Sequence, residues 1–548
     1  MDYDSLVRKL GTFGPYQKRL LFVVFFPVIF NSFGTPVSVF LLGDHLHRCK
    51  LPNLENDSYT VQGQYHEDLI NATVPILPDG SYDKCKIIVN GTLEPCSEWV
   101  YDESIFANTV SSQFNLVCDN AYLNSLGIST YFFGHLFATI LGLLADIYGR
   151  RFMVVSASTV MFIVNIIMPF SYNAYMFIVL RFLDGTTGMV FYSASFIIGM
   201  ELVGPSKRLF AGTLILVVYV FGELLLVFFA YFIRDWRWLQ LTLGIPMVSV
   251  LCYWWPGVLP ESPRWLLSRG RNDEAVKILR KAAKVNKVHF EKLPKDFRLE
   301  KKDRGLLEIF KELFHSKKLI LRWIIVFLNW FITSALYYGL TLHIGKLGGS
   351  LYINFTLSSL VELLGYLLCL VMDRTGRKPL HLSVMFLSGV ACLSSAFPVL
   401  FGDNSHNWIM IALSMIGKLC ISAAFGEIYI YTGELFPTVV RSLIMSSCSF
   451  GARMGSNTSP FMYNLAEGKM KTALPLMIYG VATLIIASLS ILLPETKKRK
   501  LLEQVEDVEQ EQDLMVDRNN GSFKSSGPNH SESEMMELTN SNDEDRNN

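Results

Sequence analysis

Five ionisable side chains of this sequence lie inside long apolar runs: Glu223, Glu362, Lys418, Glu427 and Arg453. An ionised group is costly where no water can solvate it, so a charge in such surroundings usually has a functional role. The set combines three acids with two bases. It therefore offers binding partners for either sign of charge on a ligand.

Aromatic side chains recur at helical spacing near these charges. Tyr219 lies four residues before Glu223, and Tyr431 lies four residues after Glu427, which puts each pair on one helical face. Aromatic faces beside carboxylates suit an amine or quaternary ammonium group, which they attract by cation–π interaction. The predicted substrate-binding set is Tyr192, Tyr219, Glu223, Trp330, Tyr337, Glu362, Lys418, Glu427, Tyr431 and Arg453.

These residues also have structural interpretations. Trp330 and Tyr337 can pack between helices, and Glu362 and Lys418 can form a structural ion pair. Glu223 can lie near the end of its apolar run, in water. Both interpretations of each residue stay open from the sequence alone.

Motifs for other chemistries are absent from the sequence. It contains no G-x-x-x-x-G-K-[ST] phosphate loop and no H-E-x-x-H metal motif, and the cysteines of its apolar runs are spaced unlike metal ligands. The formal net charge of +1 gives no electrostatic footprint for nucleic acid. We therefore expect no ATP, metal, cofactor or nucleic acid as a partner, and no enzymatic activity.

The elements that must position the charged residues are membrane helices. Of the 548 residues 51% are hydrophobic and 18% are charged, with a mean hydropathy of +0.32. This is too apolar for an ordinary soluble protein. A bilayer crossing needs about 20 apolar residues. The sequence predicts twelve such spans, near 20–42, 121–145, 152–172, 176–201, 209–233, 238–259, 321–343, 350–372, 380–401, 407–432, 442–464 and 472–493.

Charge asymmetry predicts the orientation of these spans. Residues 264–322 contain 18 Lys and Arg against 8 Asp and Glu, whereas residues 44–118 contain 4 against 11. The positive-inside rule then places both termini in the cytosol and residues 44–118 outside. This outer loop is predicted to be glycosylated and to form two disulfides, whose pairing has three alternatives. The residues concerned are Asn56, Asn71 and Asn90 for glycosylation and Cys49, Cys85, Cys96 and Cys118 for the disulfides.

Three short patterns occur once in each half of the chain. Asp146-Ile-Tyr-Gly-Arg-Arg recurs at Asp373, Glu201-Leu-x5-Arg recurs at Glu434, and Pro260-Glu-Ser recurs as Pro-Glu-Thr 234 residues later. The three patterns recur in the same order and at nearly the same distance along the chain. This predicts two similar six-helix halves related by a pseudo-twofold axis. The charges of these patterns are predicted to form a cytosolic gate across the seam between the halves; alternatively, the arginines only set the topology. The gate set is Asp146, Arg150, Arg151, Glu201, Arg208, Asp373, Arg377, Glu434 and Arg441.

Longer motifs resemble the organic ion transporters of solute carrier family 22, in the major facilitator superfamily. They begin at Tyr231 (Tyr-Phe-Ile-Arg-Asp-Trp-Arg-Trp), Pro260 (Pro-Glu-Ser-Pro-Arg-Trp-Leu) and Glu434 (Glu-Leu-Phe-Pro-Thr-Val-Val-Arg). The likeness covers about residues 3–496 and is strongest to insect organic cation transporters and the carnitine-related branch. It implies an all-α integral membrane protein with twelve spans, located in the plasma membrane, that carries small organic ions by secondary transport.

The resemblance also bears on the charge of the substrate. Arg453 stands where organic cation transporters typically carry Asp and where the carnitine and anion branches carry Arg. Arg453 can receive a substrate carboxylate, or be neutralised by Glu427 or Glu223. We therefore expect alternating-access transport of organic cations or zwitterions such as carnitine. Organic anion transport is the alternative, and sodium or a proton is the candidate coupling ion.

The domain organisation follows from these assignments. We expect a cytosolic N-terminus (1–19), an N-terminal six-helix half (20–259) that includes a glycosylated extracellular loop (44–120), a cytosolic linker with amphipathic helices (260–320), a C-terminal six-helix half (321–496) and a disordered cytosolic tail (497–548).

Overall fold

The computed structural model describes most of the chain. The described residues are 3–43, 45–52, 54–77, 81–142, 144–255, 257–290, 313–314, 316–402, 407–462, 465 and 470–497. The predicted disordered tail beyond residue 497 and the linker residues 291–312 lie outside them.

Helices make up most of the described chain, and within it strands occur only in the outer loop. In the N-terminal half and linker the elements are α1 Tyr3–Lys9, α2 Pro15–Phe25, α3 Val28–Ser32, α4 Ser38–Leu41, β1 His47–Cys49, α5 Gln64–Thr73, β2 Lys86–Val89, β3 Thr92–Pro95, β4 Trp99–Tyr101, α6 Val110–Gln113, α7 Ala121–Leu141, α8 Leu144–Tyr148, α9 Arg150–Ile167, α10 Ala174–Glu201, α11 Arg208–Phe232, α12 Trp236–Gly244, α13 Pro263–Ser268 and α14 Asn272–Val285. In the C-terminal half they are α15 Lys317–His343, α16 Leu351–Leu368, α17 Met372–Thr375, α18 Arg377–Phe401, α19 Asn407–Leu435, α20 Thr438–Thr458 and α21 Met470–Ser490. Short 3₁₀ segments are Cys118–Asn120, Met168–Phe170, Pro205–Lys207, Ile245–Trp254, Ile344–Lys346 and Cys369–Val371.

Eight helices of the described chain are long and apolar enough to cross a membrane. They correspond to the third, fourth, fifth, seventh, eighth, ninth, tenth and twelfth predicted spans. Helical segments also occupy the other four predicted spans. The second span is α7, the eleventh is α20, and the sixth continues from α12 into a 3₁₀ segment that contains Pro246.

The first predicted span is a series of short helices instead of one continuous helix. Breaks fall between α2, α3 and α4, next to Pro27 and Pro36. Proline has no N–H to donate and clashes with the preceding turn, so each interrupts the helix. The break frees the carbonyl of Gly34, which accepts a hydrogen bond from Arg181 at 2.9 Å.

Helix packing reproduces the predicted repeat. Between the halves, α7 packs against α20 and α11 packs against α16. The first contact joins the second and eleventh spans, and the other joins the fifth and eighth spans. A twofold operation that exchanges the halves converts one contact into the other, as the internal repeat requires.

The recurring Pro-Glu-Ser/Thr pattern caps the helix after each D-x-x-G-R turn. Glu261 accepts hydrogen bonds from the first two backbone N–H groups of α9, at 3.0 and 3.1 Å. Glu495 accepts the equivalent bonds at the start of α18, both at 3.1 Å. A carboxylate at a helix N-terminus satisfies free N–H groups and interacts favourably with the helix dipole. The same device therefore ties the last span of each half to the third span of that half.

The capping carboxylate of Glu495 is held in its ionised form. Partial burial alone would raise the pKa of this carboxyl, but backbone N–H groups of Lys497, Arg377, Thr496 and Lys378 donate to it, and the net effect holds the pKa below its usual range. The charge is thus present at physiological pH.

The outer loop is a small disulfide-linked unit. Strand β1 pairs antiparallel with β4, and β2 pairs with β3. The structure joins Cys49 to Cys96 and Cys85 to Cys118, one of the three alternatives. Inside the unit, Arg48 is paired with the buried carboxylate of Asp57. Asn56, Asn71 and Asn90 are exposed, so all three predicted glycosylation sites are accessible.

Gly376 is a point where the fold tolerates no side chain. Its φ is +108°, and a Cβ there would lie 2.7 Å from Oε2 of Glu495. We expect Gly376→Ala to destabilise the protein by about 1–2 kcal/mol from the left-handed backbone alone, and further by displacing the cap. The measurement is the thermal unfolding midpoint of the purified protein in detergent.

Gly433→Ala is the matched control. Gly433 lies within α19 and a Cβ there would meet nothing within 4 Å. Alanine favours a helix interior over glycine by about 1 kcal/mol, so this variant should melt at or above the wild-type temperature. Equal destabilisation by both substitutions would contradict the capping role of the turn.

Candidate substrate cavity

The centre of the protein contains a buried ion pair. Nζ of Lys418 on α19 lies 2.8 Å from Oε2 of Glu362 on α16, and the two side chains are 2% and 1% exposed. The other carboxylate oxygen accepts hydrogen bonds from Tyr337 at 2.5 Å and Tyr366 at 3.0 Å. A buried charge is tolerable when it is paired and hydrogen-bonded, and three helices supply these partners.

The ammonium of Lys418 makes two further contacts on α15. It lies 3.5 Å from the centroid of the Tyr337 ring and donates to Oγ1 of Thr341 at 2.7 Å. Tyr337 therefore binds the cation through its ring face and the carboxylate of Glu362 through its hydroxyl. The predicted ion pair exists, and a predicted aromatic residue holds it in place.

The N-terminal half contributes a second carboxylate to this cluster. Glu223 on α11 is 3% exposed and accepts a hydrogen bond from Ser359 on α16 at 3.2 Å. It also interacts electrostatically with Glu362 and Lys418. Glu223 is therefore buried at the interface of the halves, and the alternative that it lies in water is wrong. We call Glu223, Glu362 and Lys418 the central charge cluster; with all three ionised, it has one excess negative charge.

Half-buried tyrosines from both halves surround this cluster. Tyr219 on α11 interacts electrostatically with Glu223, Glu362 and Tyr338, and Tyr192 on α10 interacts with Tyr338. The Tyr338 ring packs edge-on against Tyr337, with centroids 4.9 Å apart. Tyr192 and Tyr219 thus both lie near Tyr338, and their role in binding a substrate stays a prediction.

Arg453 is a buried cation near two of these tyrosines. It is 5% exposed, and it interacts electrostatically with Tyr192, Tyr338 and His135. Within the described chain its Nε has no hydrogen-bond acceptor. The structure gives Arg453 no ion pair with Glu427 or Glu223, the two acids that the sequence analysis considered as neutralising partners.

Three of the predicted substrate residues face other parts of the C-terminal half. Nε1 of Trp330 donates to Thr432 at 3.0 Å between α15 and α19, and the hydroxyl of Tyr431 donates to the carbonyl of Pro494 at 2.9 Å. The carboxylate of Glu427 lies 3.7 Å from His381 on α18. Glu427 and Tyr431 share a helical face as predicted, but this face points toward α18 and the end of the last span.

The predicted gate residues form their ion pairs inside one half. Arg150 pairs with Asp146 at 2.9 Å, and Arg377 pairs with Glu434 at 3.0 Å. In this conformation these two ion pairs do not cross the seam, and the gate stays a prediction. The other described gate residues also contact groups of their own half. Glu201 accepts a hydrogen bond from Ser262, and Arg208 pairs with Asp4. Arg441 donates to the backbone carbonyl of Phe436, and Arg151 donates to the backbone carbonyl of Tyr253. The Asp373 side chain lies outside the described part.

Aromatic side chains join the outer ends of the halves. The ring of Phe40 lies 5.5 Å from Phe355 and 6.2 Å from Tyr352, and Tyr231 lies 5.3 Å from Tyr352. These contacts connect the first and fifth spans with the eighth. The halves are thus in contact on the side of the 44–118 loop, while the ion pairs of Arg150 and Arg377 stay within each half.

Sequence reasoning missed three residues of the central region. Tyr366 lies four residues after Glu362, a helical spacing that could have identified it. Tyr338 and His135 gave no such signal, because their contacts come from other helices.

Comparison with known proteins identifies the family. A family model described as "Sugar (and other) transporter" matches residues 87–508. "Organic cation transporter protein" of Drosophila melanogaster is 34% identical over 93% of this chain and 95% of its own. "Organic cation/carnitine transporter 2" of Homo sapiens is 32% identical over 90% and 92%, and "Solute carrier family 22 member 4" of Mus musculus is 31% identical over 93% and 95%.

The chain belongs to solute carrier family 22, within the sugar (and other) transporter family. It is a multi-pass membrane transporter with the major facilitator fold, and the predicted fold class and family are confirmed. The xylose transporter XylE from E. coli, in a partially occluded inward-open conformation, superposes with a TM-score of 0.60 at 17% identity, over 89% of this chain and all of that one. This likeness supports the fold alone.

The central ion pair of this family 22 member gives a direct test of its packing. We expect Glu362→Gln alone to cost about 3–5 kcal/mol, because it removes the carboxylate in direct contact with the buried ammonium and leaves only the more distant Glu223 as a counter-charge. Lys418→Gln alone should be similarly damaging. The double variant should recover most of the folded protein, measured as the monodisperse yield after solubilisation. A double variant as poor as the single variants would show that the pair does not account for the loss.

Proposed function

We propose that this protein carries small organic cations and zwitterions, such as quaternary ammonium compounds and carnitine-like solutes, across the plasma membrane. The arrangement of charge at the interface of the halves carries the proposal. A cluster with an excess of acid interacts with Tyr219 and Tyr338, and Tyr338 and Tyr192 interact with buried Arg453, whose Nε has no acceptor within the described chain. A cationic amine fits the acid and aromatic end, and a carboxylate fits the arginine end.

The acid and aromatic end supports binding of the ammonium group. Glu223 and Glu362 outnumber Lys418, Tyr337 presents its ring face at the cluster, and Tyr219 interacts electrostatically with both acids. A quaternary ammonium group cannot donate hydrogen bonds, so ring faces and unshared carboxylate charge are the contacts that it can use. The names of two relatives, which refer to organic cations or carnitine, support the same substrate class.

The Arg453 end supports binding of a carboxylate. A guanidinium group has five N–H donors in a planar fork that matches a carboxylate. Buried Nε of Arg453 lacks an acceptor within the described chain, so a substrate carboxylate would satisfy a donor that the protein leaves open. This observation also favours the second candidate function, transport of organic anions with Arg453 as their binding site.

Transport would proceed by alternating access of the two halves. The aromatic contacts of Phe40 and Tyr231 with the eighth span close the outer end, so this conformation corresponds to a cavity closed to the outside. For transport, these contacts must separate while charges on the cytosolic side come together. We further propose that both termini are cytosolic, that the outer loop is glycosylated, and that the substrate-binding set includes Tyr192, Tyr219, Glu223, Tyr337, Glu362, Lys418 and Arg453.

Uptake by cells that express the protein distinguishes the candidates. Labelled tetraethylammonium, carnitine and a dicarboxylate are compared with cells that express a non-transporting control. Saturable uptake of the amine or of carnitine is the expected result. Uptake of the dicarboxylate alone would reject the proposal in favour of the anion transporter.

Arg453→Asp tests the division of the cavity. We expect carnitine uptake to fall about tenfold or more, because a hydrogen bond to a charged group contributes about 1.5–3 kcal/mol. Uptake of tetraethylammonium should persist or increase, since the added acid attracts a cation. Arg453→Lys keeps the charge and serves as the control. An unchanged preference between the two substrates in Arg453→Asp would remove Arg453 from the site.

A further inference from the structure

A second buried carboxylate in the C-terminal half lies apart from the central charge cluster. Glu427 is 0% exposed, and within the described chain neither of its oxygens has a hydrogen-bond donor. It follows Lys418 by nine residues on α19, about 13 Å along a helix. An ionised carboxylate without donors is strongly disfavoured in such a place, so the surroundings of Glu427 demand a proton or a cationic neighbour.

His381 is the group that faces this carboxylate. Its side chain is 1% exposed, and its Nδ1 lies 3.7 Å from Oε1 of Glu427. The other ring nitrogen, Nε2, lies 2.9 Å from Oδ1 of Asn329. The amide nitrogen of Asn329 donates to the carbonyl of Ile325 at 2.8 Å, so Oδ1 must be the acceptor and Nε2 of His381 must carry the hydrogen.

This hydrogen-bond pattern requires one further proton, on either His381 or Glu427. With Nε2 protonated, a neutral His381 presents the bare lone pair of Nδ1 to Glu427. A lone pair facing an ionised carboxylate is repulsive, so a proton must lie on Nδ1 or on the carboxyl group. In the first case the pair is an imidazolium with a carboxylate; in the second it is a neutral imidazole with a carboxylic acid. Either form is electrically neutral.

The other charged groups that interact with Glu427 lie toward the C-terminal end of α19, where Arg377 pairs with Glu434. Arg377 on α18 and Glu495 after α21 both interact electrostatically with Glu427. Cys369, which follows α16, also does so, and the ring of Tyr431 packs against His381 with centroids 5.7 Å apart. The described groups beside the carboxylate are thus an imidazole, a thiol and more distant charges, whereas hard metal cations require a cage of oxygen ligands.

We propose that Glu427 and His381 form a proton-binding site that links transport to the pH on the side of the Arg377–Glu434 pair. The inference rests on the proposed transport function, and it selects a proton instead of sodium as the coupling ion. Loss of the shared proton leaves a net negative charge on Glu427 and His381, and Glu427 interacts electrostatically with Arg377. That charge competes with Glu434 for Arg377, so the protonation state alters the ion pair that lies at the cytosolic end of this half.

Infrared difference spectroscopy detects the proton without any transport assay. The full chain, purified in lipid nanodiscs, is titrated with acid and base while the C=O stretch of protonated carboxyl groups is followed. The wild type should show a band that titrates with pH and is lost in Glu427→Gln. His381→Asn should keep the band but shift its titration, because the second proton acceptor is gone. Glu98→Gln removes an exposed carboxylate of the outer loop and should leave the band unchanged.

Exchange of labelled substrate in proteoliposomes tests the link to transport. Between about pH 6 and about pH 8 on the proposed cytosolic side, the ratio of protonated to deprotonated site changes about tenfold per pH unit. The exchange rate of the wild type should change several-fold over this range, and that of Glu427→Gln should stay constant. Glutamine is isosteric and uncharged, so this variant removes a buried ionisable group without creating a cavity.

The two measurements separate this inference from the proposed function. A titrating C=O band whose amplitude is unchanged in Glu427→Gln, or a pH dependence of exchange that the same variant retains, overturns the proton site. Absence of transport of every tested organic ion by the wild type overturns the proposed function, while the infrared band still decides whether Glu427 and His381 bind a proton.

Discussion

The need to balance charge where water is absent governs the interior of this transporter. Every ionised side chain between the helices must find a counter-charge or a set of hydrogen bonds. Arg181 has a counter-charge: it pairs with Asp184 at 3.2 Å, donates to Ser38 at 2.6 Å and lies 4.4 Å from the ring centroid of Tyr131, although its Nε has no acceptor within the described chain. Lys418 is paired with Glu362 and also contacts Thr341 and Tyr337. Within the described chain Arg453 has no carboxylate in ion-pair contact and Glu427 has no hydrogen-bond donor, so these are the positions where we propose that a ligand or a proton enters.

The internal repeat supplies a common frame in which such positions diverge. Both halves use the same glutamate cap on the helix that follows a D-x-x-G-R turn, at Glu261 and Glu495, because backbone N–H groups must be satisfied in either half. Both halves also hold a cation over a tyrosine ring, at Arg181 and at Lys418. The counter-ions differ. Asp184 comes from the same helix as Arg181, whereas Glu362 comes from a different helix than Lys418, so only the second pair can respond to movement between helices.

The sequence predicted the elements of the fold better than their contacts. Helical segments occupy all twelve predicted spans because length and hydropathy are local properties. The breaks in the first span were also readable, since Pro27 and Pro36 act locally. Which acid an arginine pairs with depends on tertiary packing: Arg377 meets Glu434 of its own half, and nothing in the repeated patterns distinguishes this from a pairing across the seam. The pairing of the four outer cysteines was open for the same reason.

The candidate site shows the same division between local and tertiary information. Spacing put Glu427 and Tyr431 on one helical face, and they do share it. The direction of that face depends on how α19 is rotated against α15 and α18, and period alone leaves this rotation undetermined. Packing turns Lys418 toward α16 and turns Glu427, two and a half helical turns further, toward His381. One helix therefore serves two sites. If α19 tilts when the halves rock, the ion pair at its centre and the shared proton nearer its end must respond together, which is the physical requirement for coupling a proton to a solute.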